Sequence, residues 1–345
     1  MPELDIFNHP QFAPAVQTAM VQEIPYRDQF LGSLNLFGTP IRMDSTVIRF
    51  SRTQKGIQLI PTTPRGSPPW IRDEQRNVQA VYLGTPRIAA RQKIEASAIQ
   101  NAIQFGTYRG GGEAILESVQ DVITRANVGL RQDLEDTWEL HRLGAIFGTL
   151  VDADGVTVLE DFFSAFGYTQ PPVIDFELDD PTVDPYDKTT IVHRYYDDNG
   201  DTIIAPGTEI LALCGHGFYD KLRRHPKVLE TLKYIVNGGE QMRENQIRRN
   251  FQFGDITWFD WKGTKNSPLA IGENEVRFIP LGANGMFGVA YAPGESLDAV
   301  NAPGQDVYSI IVRDLERNFW VQPELYSYPL HFCRRPDLLL TGKAF

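Results

Sequence analysis

Several stretches of the chain hold residue types that could do chemistry. Asp152-Ala153-Asp154-Gly155 opens like a calcium loop, with two carboxylates one residue apart. Such a loop needs an oxygen donor at its fifth position, glycine at its sixth and a bidentate glutamate at its twelfth. Here the glycine comes early, Val156 takes the fifth place and no glutamate stands at the twelfth. A turn leading into a strand fits these residues better. His193 precedes Arg194-Tyr195-Tyr196-Asp197-Asp198 and has the ring of a metal ligand. The six histidines (His9, His141, His193, His216, His225 and His331) contain neither an H-E-x-x-H motif nor a close pair. Zinc sites require such convergence, so His193 reads as a strand residue.

Nucleophilic chemistry fares no better. In Cys214-Gly215-His216-Gly217 a thiol and an imidazole lie two residues apart, but catalytic pairs of this kind meet in space rather than in sequence. The glycines suit a turn before a helix at Phe218. Tyr108-Arg109-Gly110-Gly111-Gly112 is glycine-rich, yet no Gly-Lys-Ser/Thr follows to make a phosphate loop. It reads as a joint before a helix. Arg243, Arg248 and Arg249 are interleaved with Glu240 and Glu244, the pattern of a solvated helix face. No G-x-S-x-G elbow occurs. The sequence therefore predicts no catalytic residue, no metal and no cofactor, and points to a structural or binding role.

Composition agrees with that class. The chain has 345 residues, with 33 Lys+Arg against 44 Asp+Glu, a formal net charge of −11. Hydrophobic residues at 42% and charged residues at 22% are globular proportions and exclude wholesale disorder. The length suggests two domains of about 150 residues each. No apolar run reaches the roughly 20 residues of a membrane span, and MPELDIFNHPQF is not a secretory signal. Cys214 and Cys333 cannot staple so long a chain and read as free thiols of a reducing compartment. The acidic excess argues against nucleic-acid binding as the main role.

The charge is distributed unevenly. Residues 41–100 hold ten bases (Arg42, Arg49, Arg52, Lys55, Arg65, Arg72, Arg76, Arg87, Arg91, Lys93) and four acids (Asp44, Asp73, Glu74, Glu95), a balance of +6. Residues 151–210 hold fourteen acids and two bases, Lys188 and Arg194, a balance of −12. Such a chain can pair with itself or with a copy of itself.

The elements follow from local pattern. Residues 1–40 have scattered prolines and no sustained period, an extended arm with one short helix. Two β-branched runs, 45–51 (STVIRFS) and 56–61 (GIQLIP), predict a hairpin with a basic tip, and 77–83 a third strand. This region has few apolar residues to bury, so it projects from its subunit. Thr85-Pro86 reads as a cap and first helical position, predicting a helix over 87–106. Ile115, Val119, Val122, Ala126, Leu130, Leu134 and Trp138 recur every three or four residues, predicting one long helix over 113–147. Gly129 and Gly144 would each weaken it by about 1 kcal/mol. The acidic stretch reads as strand-like, with a hairpin through Asn199-Gly200 joining strands 189–196 and 202–205. A helix over 217–236, broken near Pro226, precedes strands at 256–261, 275–280, 308–312 and 329–340. Helices and strands are segregated, so the fold class is α+β.

The order of these elements resembles the major capsid proteins of tailed phages, specifically the lambda-type major capsid protein E family. Residues 140–155 (LHRLGAIFGTLVDADG) resemble the end of that family's spine helix and its turn into a strand. Residues 213–234 (LCGHGFYDKLRRHPKVLETLKY) resemble its strand-to-helix segment, and 253–263 (FGDITWFDWKG) the following strand. Residues 326–338 (YSYPLHFCRRPDL) resemble its C-terminal Ser-x-Pro-Leu, here Ser327, Pro329 and Leu330.

The resemblance implies the Hong Kong 97-type capsid fold. It divides the chain into an N-terminal arm (1–37), an extended loop (38–85), a peripheral domain with the spine helix and acidic strands (86–211), an axial domain (212–320) and a C-terminal return to the peripheral domain (321–345). It also implies self-assembly into hexamers and pentamers of an icosahedral virion shell, put together in the host cytoplasm around packaged double-stranded DNA. Partners would be a separate scaffold protein, because the arm begins almost at once, a portal and a decoration protein. DNA would face the inner wall without sequence-specific contacts. Arg42, Arg49, Arg52, Lys55 and Arg65 are the candidate intersubunit contacts. Two alternatives remain open at this point, an encapsulin-like nanocompartment shell and a metal-dependent hydrolase using Asp152, Asp154 and His193.

Overall fold

The computed structural model describes residues 7, 9–25, 29–52, 79–99, 112–200, 203–205, 207–234, 250–261, 270–283 and 285–345. Its longest element is the helix Gly112–Phe147, 36 residues, roughly 54 Å at the standard rise. Val119, Ile123, Ala126, Leu130, Leu134 and Trp138 are all buried along it, as their spacing predicts. The helix stops at Gly148, whose φ of +82° is left-handed. A Cβ there would also come within 2.3 Å of the Phe163 ring, so only glycine fits.

Among the described residues, five sheets pack around this helix and beside it. The largest has six strands in the order Asn250–Phe253, Ile256–Asp260, Ile210–Cys214, Glu275–Pro280, Thr341–Lys343, Ile174–Asp175. Its central strand Ile210–Cys214 is buried at every residue. Ile256–Asp260 runs parallel to that strand, with Trp258 opposite Ala212, and Glu275–Pro280 runs antiparallel on its other side. Phe176, Phe218, Trp258 and Phe278 close the core on this sheet, with ring centroids 5.4–6.0 Å apart. The buried Trp258 indole is satisfied by the Phe253 carbonyl at 3.0 Å. Ile174–Asp175 and Thr341–Lys343 thus join a sheet built mostly from residues 210–280. The sheet crosses the sequence boundaries drawn at 211 and 321.

A second sheet pairs Tyr308–Arg313, Trp320–Ser327 and Ile88–Arg91, with Ile94–Glu95 also on Trp320–Ser327. Its inner side meets the N-terminal half of the long helix in a small second core of Phe12, Ile94, Val119, Ile123, Ala126 and Val321. The N-terminal helix Pro14–Glu23 lies against this sheet, where Thr18 exchanges hydrogen bonds with the Ser309 backbone. A third sheet joins Ile41–Arg42, Phe287–Tyr291 and Pro329–Cys333. Two ribbons complete the set, Val47–Arg52 with Gln79–Gly84 and Thr149–Val151 with Val158–Asp161.

Two expectations from local pattern are corrected. Residues 87–106 do not open as a helix: Ile88–Arg91 and Ile94–Glu95 are strands, only 96–99 are helical, and 100–106 lie outside the described residues. Ile88 and Ala90 alternate inward and pair with Ser327 and Leu325, so a partner far along the chain overrides the Thr85-Pro86 cap signal. The predicted Asn-Gly hairpin is instead the helix Pro185–Asn199. The Asp184 carboxylate accepts from the Tyr186 N–H at 3.0 Å, Pro185 takes the first helical turn, and Thr189, Val192 and Tyr196 are buried at helical spacing. Gly200 ends the helix rather than turning a hairpin. The break at Pro226 stands as expected, between His216–Arg224 and Pro226–Tyr234.

Candidate intersubunit surface

The root of the extended loop is the ribbon Val47–Arg52 with Gln79–Gly84. The predicted third strand is thus the partner of the first, and the 56–61 strand lies outside the described residues. Alternation puts Ile48, Phe50, Val81 and Leu83 on the buried side. Phe50 meets Phe166 at 5.5 Å and Phe332 at 4.7 Å, and the Arg334 guanidinium lies 5.5 Å over its ring. The root therefore belongs to the core, against the expectation of a region with little to bury.

The five candidate arginines and lysine fall in different places. Arg42 reaches back into its own subunit: one guanidinium nitrogen lies 3.0 Å from the Asp306 carboxylate, and the other donates to the Gly304 carbonyl at 2.9 Å. Arg49 is exposed and sits in the ladder opposite Tyr82 rather than at a hairpin tip. Arg52 ends the same strand opposite Gln79, while Lys55 and Arg65 lie outside the described residues.

Much of the acidic stretch works locally. Asp161 caps the helix Phe162–Phe166, and Asp184 caps Pro185–Asn199. Glu177 pairs with Lys188 at 2.6 Å, Asp179 with Lys221 at 2.8 Å and Asp175 with Lys343 at 3.6 Å. Asp154 accepts from the Thr157 hydroxyl and from the Val156 and Thr157 N–H groups at 2.5–2.9 Å. These bonds, the Thr157 hydroxyl foremost, hold its carboxyl below the usual carboxylate range. Asp152 and Asp154 thus shape the turn between Thr149–Val151 and Val158–Asp161.

The remaining chemical candidates do not converge. His193 lies on the helix Pro185–Asn199, not on a strand, and its Nε2 is 2.9 Å from the Gly254 carbonyl. His216 Nδ1 is 2.6 Å from Asp260. Cys214 is fully buried and burial pushes its thiol well up, which leaves it in the unreactive form. Arg243, Arg248 and Arg249 lie outside the described residues. Among the described residues no group of three or more metal-ligating side chains occurs, and no helix is long and apolar enough to cross a membrane.

Exposed apolar side chains were not singled out from the sequence. Val47, Tyr82, Val156 and Val158 are 44%, 63%, 81% and 55% exposed. For the first two a signal existed: strict alternation with Ile48, Phe50, Val81 and Leu83 would have placed them on the solvent face.

This α+β arrangement is the Hong Kong 97-type fold of phage capsid proteins. A prophage capsid protein from Escherichia coli CFT073 superposes with a TM-score of 0.54 at 12% identity, over 96% of this chain and 99% of that one. The family described as phage major capsid protein E matches residues 13–344, and the chain belongs to that family. The major capsid protein of Salmonella phage Felix O1 is 24% identical over 97% of this chain and 96% of its own length. That of Pseudomonas phage KPP10 is 27% identical over 68% of this chain and 72% of its own.

Proposed function

We propose that this chain assembles into hexameric and pentameric capsomers of an icosahedral head enclosing double-stranded DNA. The observation that carries the reading is the family match over residues 13–344. It is supported by a fold shared with a prophage capsid protein and by apolar side chains left exposed at Val47, Tyr82, Val156 and Val158. The chain acts as a building unit, without catalysis, metal or cofactor, and its place is the virion. The unit around the six-stranded sheet is axial, the long helix and the second sheet are peripheral, and the arm and extended loop reach neighbouring copies. Arg49, Arg52, Lys55 and Arg65 make contacts between copies, whereas Arg42 first braces its own subunit. Head-to-tail contacts of this kind close into rings. A separate scaffold protein sets the shell during assembly in the host cytoplasm, a portal and a decoration protein complete it, and DNA touches the inner wall without sequence reading.

Electron microscopy of the protein expressed alone and with a scaffold tests this reading. Closed shells or capsomers are expected. Shells holding a cargo enzyme in place of DNA would favour a nanocompartment, and a monomer under every condition would overturn the assembly reading.

A further inference from the structure

The root of the extended loop and the turn at residues 152–157 are opposite in charge and alike in form. On the root, Arg49 faces solvent beside Val47 and directly across the ladder from Tyr82. One cation thus stands among uncovered apolar side chains. On the turn, Asp152 and Asp154 stand beside Val156 and Val158, which are largely uncovered. The turn is pre-ordered, with Asp154 bound to three donors and Gly155 at φ +70°. A rigid element loses little conformational entropy on docking.

Other acids of the stretch are less suited. Asp161, Asp175, Glu177, Asp179 and Asp184 are engaged as caps or ion pairs. The helix Pro185–Asn199 exposes Asp187, Asp197 and Asp198, but Arg194 lies exposed seven, three and four residues from them in turn and offsets them. Within one subunit the turn leaves the root uncovered. Glu160, at the other end of the 149–161 ribbon, is the residue that accepts from the Gly84 N–H, while Val151 and Val158 flank the turn.

Resting on the shell reading above, we propose that the turn 152–158 of one copy docks on the Val47, Arg49 and Tyr82 face of a second copy. The Asp152 carboxylate meets the Arg49 guanidinium, and Val156 covers the Tyr82 ring. The two faces differ, so the contact is heterologous and propagates head to tail.

The test compares wild type with Arg49→Asp, Asp152→Arg, Val156→Asp and the charge-swapped double variant Arg49→Asp/Asp152→Arg. Folding is read by circular dichroism and thermal melting, and assembly by sedimentation velocity and microscopy. Each folded single variant is expected to need about tenfold more protein to assemble, with the double variant restored towards wild type. Single variants assembling like wild type, or a double variant no better than the singles, would overturn the contact while wild-type shells leave the shell reading intact. Should either charge variant fail to fold, Val156→Asp decides, since its side chain is already in solvent: normal assembly refutes the contact. Wild type that never assembles removes both proposals.

Discussion

His141 on the long helix and His331 on the strand Pro329–Cys333 face one another inside the core, with ring centroids 6.2 Å apart. Each is 1% exposed, and neither Nδ1 has a hydrogen-bond partner among the described residues. The Phe37 ring stands edge-on to His331 at 5.3 Å. Burial is the main cause that lowers both imidazoles: His141 to about 4, against a smaller opposing pull from Asp152, and His331 well below its ordinary value, with Arg142 and His141 adding to the fall.

The pair makes stability depend on acid. Above the ordinary histidine pKa of about 6.5, folded and unfolded chains both hold neutral rings and the pair adds no pH dependence. As pH falls from there towards 4, the unfolded chain takes up protons that the folded chain refuses, so stability drops. For His141 the loss is on the order of 3 kcal/mol at 1.36 kcal/mol per pKa unit. Denaturant midpoints at pH 7 and pH 4.5 should differ for wild type, and less so for His331→Phe. Equal pH dependence in the two proteins would exclude this origin.

Glycines in the long helix separate by their surroundings. Nothing lies within 4 Å of a Cβ on Gly129, so Gly129→Ala should stabilise by about 1 kcal/mol. A Cβ on Gly144 would meet the Thr149 carbonyl at 3.0 Å and the Leu150 Cα at 3.2 Å. Gly144→Ala should therefore gain nothing or cost about 1–3 kcal/mol. Thermal melts check this: the midpoint should rise for Gly129→Ala and stay level or fall for Gly144→Ala.

Arg131 and Glu135 form a buried ion pair at 2.8 Å, with side chains 7% and 2% exposed, and the guanidinium also lies 4.9 Å over the Trp138 ring. Glu135→Ala leaves a buried cation without that carboxylate and should cost about 3–5 kcal/mol. Replacing both residues with methionine should cost less than the single change, as read from urea unfolding.

Cys214 and Cys333 are both fully buried, and burial raises both thiols. A thiol reagent should leave the native protein unlabelled and modify both residues only after unfolding. Rapid labelling of the native protein would contradict this packing.

Residues 112–147, 256–260, 275–280 and 308–313 carry their structure in their own spacing, because a stripe every three or four residues, or strict alternation, selects the element that can bury it. Proline at 226 breaks its helix by chemistry alone. The uneven charge was equally plain in the sequence. Tertiary structure decided the rest. Ile88–Arg91 is a strand because Leu325 and Ser327 lie beside it, and nothing near residue 88 announces a partner so far away. Pro185–Asn199 is a helix because Val192 and Tyr196 bury one face, with the Tyr196 hydroxyl on the Phe278 carbonyl at 3.1 Å; Asn199-Gly200 alone fits either a hairpin or a helix end. Charge counting along 151–210 likewise could not tell which carboxylates would be spent on caps and ion pairs. Burial and pairing join residues distant in the chain, so local spacing cannot encode which surfaces remain for a neighbour.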